Sequence, residues 1–209
     1  MIEKGNAKAL SKSDAYCSNL TFNEEKAISV LSYLCALAHN KLNHYKAAKL
    51  MYLYDREVLL ETGEPAFFGQ HFSLPAGPIV SEVNNAIKSC LKDELDTYFD
   101  WKRYFKLNEQ NHQLSQTNSE ELYYSGLLSD EDRLRLTNLY NKYKSHDFGA
   151  MREVMHALPE HIELTGDERR KPLSYRHILE KNGFTPEQIE ELLSEIAYEN
   201  LFCIVTNQL

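Results

Sequence analysis

The segment Asn43–Gly63, NHYKAAKLMYLYDREVLLETG, decides how the rest of the chain can fold. Ala47, Leu50, Met51, Tyr54 and Val58 recur at spacings of three and four, which predicts a helix with an apolar face. Gly63 supplies the glycine expected just past a helix C-terminus. A second stripe on this helix, Tyr45, Lys49, Tyr52 and Arg56, is polar and aromatic. Two readings of it compete. Tyrosine and arginine are enriched at binding hot spots, which makes the stripe a candidate recognition surface, whereas a solvated or intramolecularly packed face is the commoner fate of such residues. Asp55 lies at the margin of the apolar side, where burial requires a backbone N–H or a basic partner.

Upstream, FNEEKAISVLSYLCALAHN carries Ala27, Val30, Leu31, Leu34 and Ala38 at helical spacing, with Asn23 as N-cap, so two consecutive helices should form a hairpin. Downstream, AFFGQHFSLPAGPIV reads as an extended segment entering a turn. Gly77 before Pro78 must be extended, and Pro78 suits the first position of a helix running from Ile79 to Leu91 with Val80, Val83, Ile87 and Leu91 inward. Tyr98–Gln116 alternates around a polar break at Asn108–Asn111 and predicts a β-hairpin. Helices follow from N-cap Ser129, with Leu136, Leu139, Tyr140 and Tyr143 at helical spacing, and over Phe148–Leu158. Pro172 and Ser174 introduce a further helix closed by Gly183.

The final helix begins at N-cap Thr185, with Pro186 at its first position, Gln188 completing a capping box and Phe184 with Ile189 as a hydrophobic staple. Ile189, Leu192, Leu193 and Ile196 form its buried stripe. Its remaining face carries Glu187, Glu190, Glu191, Glu195 and Glu199 without a basic residue among them. The whole reads as a compact, mainly α domain with a small β-hairpin or short sheet, an α+β fold over residues 21–199. Residues 1–20 are expected to be a flexible leader, and 200–209, ending in LFCIVTNQL, a loose tail or edge strand.

Composition narrows function. In 209 residues, 31 acids outnumber 23 bases for a net charge of −8, which disfavours a nucleic-acid ligand and suits a basic protein partner. No run is long enough to span a membrane and the first residues lack a secretory h-region, so a cytoplasmic location is expected. Cys17, Cys35, Cys90 and Cys203 show no CxxC pairing, which argues against a disulfide framework or structural zinc.

The SLPAGPIVSEV stretch, Ser73–Val83, fails as a phosphate cradle because its prolines remove two backbone donors, and GxSxG, HExxH and Walker patterns are absent. His156 and His161 are separated by helix-breaking Pro159, so no metal site is expected there. No catalytic residue, cofactor or metal is expected, and the chain reads as a binding protein rather than an enzyme.

The order Lys49, Leu50, Tyr52, Leu53, Asp55, Arg56, Gly63, Pro65, Gly69, Leu74, Gly77, Pro78, Val80 and Glu82 resembles the Panacea domain, also described as the SocA-like antitoxin domain. The closing helices look similar too, so the resemblance spans residues 23–198, with Ile79 where valine is more usual. It implies that Lys49, Tyr52, Asp55, Arg56, Gly69, Gly77, Pro78, Val80 and Glu82 are scaffold positions. It implies an antitoxin that suppresses a cognate protein toxin by direct contact, without DNA binding by this chain alone. The alternatives are an adaptor that delivers the toxin to an ATP-dependent protease, and a mobile-element interaction protein with no toxin partner. Candidate contacts are Tyr45, Lys49, Tyr52 and Arg56 on one helix and Glu187, Glu190, Glu191 and Glu195 on another.

Overall fold

The computed structural model describes residues 20–90, 101–117 and 126–206. Among them the element order is α1 (Glu24–Leu37), β1 (Leu42–Asn43), α2 (His44–Thr62), β2 (His71–Ser73), β3 (Ile79–Val80), α3 (Ser81–Ser89), a 3-10 turn (Trp101–Arg103), β4 (Phe105–Asn108), β5 (Gln113–Gln116), α4 (Asp130–Tyr143), α5 (Phe148–His156), β6 (Lys171–Leu173), α6 (Tyr175–Lys181) and α7 (Pro186–Thr206). The expected mainly helical α+β architecture is what forms.

Helix α2 is the axis. Every residue from Ala47 to Asp55 is buried, so the helix is enclosed on all sides rather than half-exposed. Asn43 caps its start by accepting from the Tyr45 and Lys46 amides, and Gly63 ends it with φ 84°. The expected helical hairpin forms as α1 packs on α2, and α4 covers both. Leu31, Leu34, Leu50, Met51, Trp101 and Leu136 lie in this main core. A second core at the C-terminal end of α2 joins Leu59 and Phe68 to Ile178, Leu179, Ile189, Leu193 and Ile196 of α6 and α7.

Two three-stranded antiparallel sheets flank the helices, in orders β1-β5-β4 and β3-β2-β6. The β4–β5 hairpin matches the expectation, with Leu107 opposite Leu114 in the interior.

Three expectations are corrected. Ile79 and Val80 pair with Phe72 and His71 as strand β3, so helix α3 starts at Ser81 and Pro78 precedes the strand instead of opening the helix. Pro172 sits in β6 opposite Phe72, leaving Ser174 alone to cap α6. Residues 201–206 continue α7, where an edge strand or tail was expected. The β-branched residues there follow an already nucleated helix, and extending a helix costs far less than starting one. The N-terminal part of the proposed leader, residues 1–19, residues 98–100 of the hairpin segment, Leu91 and residues 207–209 lie outside the described residues.

Gly77 permits the closest approach in the corner between β2 and β3. Its φ of 94° lies in the left-handed region and not in the extended one expected before Pro78, and a Cβ there would stand 2.4 Å from Met155 Cβ. Gly166 also has positive φ, 60°, but open space around it. Gly77→Ala should therefore lower the unfolding free energy by about 3 kcal/mol, combining left-handed strain with overpacking, against about 1 kcal/mol for Gly166→Ala. Urea denaturation of the two variants measures the contrast; equal losses would contradict it.

Candidate functional site

The polar stripe of α2 faces inward. Lys49 and Tyr52 are 1% and 0% exposed, so neither is available to a partner in this fold, and the recognition reading of these two residues falls away. Tyr45 and Arg56 are half-buried and also engaged within the chain. What the four side chains do instead is satisfy the segments around them.

Tyr45 donates its hydroxyl to Ala76 O at 3.1 Å, and the Lys49 ammonium donates to Gly77 O at 2.6 Å and Pro78 O at 2.9 Å. Nearly two turns on, Asp55 is fully buried and accepts from the Phe67 amide at 2.8 Å and from His71 Nε2 at 2.7 Å. Both kinds of partner anticipated for Asp55 are thus present. His71 Nδ1 is buried without a hydrogen-bond partner among the described residues. With the Nε2 proton directed at Asp55, an unprotonated Nδ1 leaves a bare lone pair there, which is cheaper to bury than an orphan N–H. Edge-on contacts from Tyr52 and Tyr175 fix the His71 ring.

Further along, Tyr52 donates to Glu160 Oε1 at 2.9 Å, and Arg56 bonds both carboxylate oxygens, Nε to Oε1 at 2.5 Å and Nη2 to Oε2 at 3.2 Å. Asn182 completes the group by accepting from Arg56 at 2.6 Å and donating to Glu160 Oε2 at 3.1 Å. Glu160 is 0% exposed. Burial pushes its carboxyl upward, but the Arg56 hydrogen bonds and charge, with help from Asn182, hold it below the usual carboxylate range. Burial and the Glu160 charge together push the Tyr52 hydroxyl well up. Sequence reading missed Glu160, since "LPEH" carries no signal of burial; only the tertiary position of Arg56 selects it.

The remaining scaffold positions act locally. Glu82 accepts from the Gln70 amide at 2.9 Å, Gly69 O accepts from Tyr175 Oη at 2.7 Å, and a Cβ at Gly69 would stand 2.5 Å from Val80 Cγ1. Pro78 and Val80 are buried in the corner and its strand.

The acidic helix α7 stands elsewhere and is outward. Glu187, Glu191 and Glu195 are exposed and make no ion pair among the described residues. Glu190 pairs with Arg176 at 2.8 Å. Tyr198, three residues beyond Glu195, is 68% exposed and extends this face. The two stripes named from sequence are therefore not one site: the α2 stripe is internal support, and α7 is surface.

Other chemistry-bearing groups are disposed as follows. His156 and His161 stack with centroids 4.3 Å apart. Among the described residues, no group of three or more His, Cys, Asp or Glu side chains is arranged to hold a metal ion, and no helix is long and apolar enough to cross a membrane. Burial pushes the Cys35 thiol up to about 12 and the Cys90 thiol to about 11, so both stay protonated at neutral pH.

Comparison with known proteins gives one match: residues 48–160 fit the family described as antitoxin SocA-like, Panacea domain. The match runs from the buried stretch of α2 to Glu160 and so takes in the polar network described above, apart from Tyr45, Tyr175 and Asn182. Neither a search of curated proteins nor one of solved structures finds a match.

Two outcomes check this account. Glu160→Ala leaves the Arg56 guanidinium without its carboxylate and should cost about 3 kcal/mol of stability in chemical denaturation. Burial, and after it the charge of Lys88, pulls the Lys49 ammonium down to about 7. Between that value and the ordinary lysine range the unfolded chain binds more protons, so this group makes stability rise with pH from about 7 to about 10. Lys49→Met should remove that part of the slope in denaturation curves recorded across the window; an unchanged slope would refute the assignment.

Proposed function

Because the chain belongs to the SocA-like antitoxin family defined by the Panacea domain, we propose that it is the antitoxin of a toxin–antitoxin module and neutralises a cognate protein toxin by direct contact in the cytoplasm. It acts by binding rather than by catalysis, needs no cofactor, and does not engage nucleic acid by itself. The observation that carries the mode of contact is the outward face of α7, where Glu187, Glu191 and Glu195 stand exposed beside Tyr198.

Unpaired carboxylates with an exposed aromatic anchor suit a basic protein surface. Complementary charge speeds encounter, and the tyrosine ring supplies the apolar area that binds. Toxins that act on nucleotides or RNA need basic active surfaces, and such a surface is what this face would cover. The stripe of α2 takes no part in the contact; its role is to hold the scaffold.

The test is co-expression with the neighbouring gene. That gene should arrest growth alone and be harmless with this chain, and the two products should co-purify with the toxin level unchanged. A toxin that disappears instead would favour delivery to a protease, and a non-toxic neighbour would refute the antitoxin reading. Glu187→Lys, Glu191→Lys and Glu195→Lys together should weaken toxin binding at least about tenfold, by replacing attraction with repulsion. The triple variant should keep its thermal midpoint, since the three side chains are exposed. Full neutralisation by a folded triple variant would remove α7 from the contact.

A further inference from the structure

Four consecutive carbonyls in the corner between β2 and β3 each accept a hydrogen bond from a side chain. Pro75 O accepts from Arg152 Nε at 3.4 Å and His156 Nε2 at 3.1 Å, Ala76 O from Tyr45, and Gly77 O and Pro78 O from Lys49. The Gly77 amide closes the turn on Leu74 O at 2.8 Å. A surface loop ordinarily gives its carbonyls to water and keeps its freedom. This one is fixed from within, and its outer side is held out as a rigid edge with Pro75 exposed.

Beside that edge lies Phe148, 58% exposed, its ring tilted against Tyr45 with centroids 4.3 Å apart. Arg152 follows one helical turn later on α5 and is exposed. Lys46 donates to Lys144 O at 2.6 Å, which brings a second and third cation to the same end of α2. None of Lys46, Lys144 and Arg152 forms an ion pair among the described residues. Asp147 and Glu153 are the acids on this part of α5; Asp147 caps the helix by accepting from the Ala150 amide, and its charge also acts on Lys46, so three cations face two acids here. The face is thus locally basic and aromatic in a chain whose net charge is −8.

We propose that this face, formed by Tyr45, Lys46, Pro75, Lys144, Phe148 and Arg152, is a docking surface for an acidic segment of a partner protein that carries an aromatic or large apolar anchor. The anchor packs on Phe148 and Pro75, and the acids meet the three unpaired cations. Because the corner and the Tyr45–Phe148 pair are already ordered, little freedom is lost on binding. A nucleic acid is the poorer occupant, since three cations neutralise few phosphates and the acid excess of the chain repels a polyanion. The surface is also separate from the face of α7. Leu192 of α7 packs at Gly63, the far end of α2, so the length of a 19-residue helix, about 28 Å, lies between them.

The experiment selects a phage-displayed random peptide library on the intact protein and measures the winning peptide by fluorescence titration. Enriched sequences should combine Asp or Glu with an aromatic residue, and affinity should fall as salt rises. Phe148→Ala and Arg152→Glu should each weaken the peptide about tenfold or more, and Phe148→Tyr should restore binding. Both side chains are exposed, so far-ultraviolet dichroism should be unchanged in the variants. The proposal is overturned by a selection that yields no binder, by winners without acids, by affinity indifferent to both substitutions, or by a single-stranded RNA oligonucleotide that binds this face more tightly than the peptide.

Discussion

A helix enclosed on every side must bring a partner to each polar group it carries inward, and α2 carries four. Lys49, Tyr52 and Asp55 are buried and Arg56 is half-buried, so the chain around them supplies carbonyls, an amide, an imidazole and a carboxylate. Leaving any of these groups unmatched would cost a sizeable share of the few kcal/mol by which a domain of this size is stable. This requirement places the segment 67–78 against one part of the helix and Glu160 against another.

The same constraint separates support from recognition. Side chains pointing into the molecule hold the corner at Pro75–Pro78 and tie Asn182 at the end of α6 to Glu160. The surfaces proposed for partners lie at the two ends of α2: the acidic face of α7 at one and the basic, aromatic face around Phe148 at the other. Substitutions at Lys49, Tyr52 and Arg56 would therefore act on partner binding only through folding. Those on either outer face would act on binding with the fold intact.

Much of this was legible in the sequence. Apolar spacing and capping residues placed the helices, and Asn23, Ser129, Ser174 and Thr185 each accept the amide hydrogen bond that a cap must make. The β4–β5 hairpin and the partners of Asp55 were foreseeable for the same reason, since local chemistry determines them. The errors lie where distant segments decide. Ile79 and Val80 became a strand because His71 and Phe72 offered edge hydrogen bonds, and Lys49 and Tyr52 turned inward because later segments covered that face. A periodicity argument sees which faces a helix has; it does not see how many of them the rest of the chain will cover. The family resemblance was carried by the ordered motif along α2 and the corner, the region in which these tertiary contacts concentrate.

Lysine reactivity under native conditions tests the central claim most directly. The Lys49 amine is drawn down to about 7, so at neutral pH it would be among the most nucleophilic lysines if a reagent reached it. Treating the folded protein with a limiting amine-acetylating reagent and mapping the products by mass spectrometry should show Lys144 modified and Lys49 untouched until denaturant is added. Modification of Lys49 in the folded protein as fast as Lys144 would mean that the polar stripe of α2 is open to solvent, and the account of the fold built on it would be wrong.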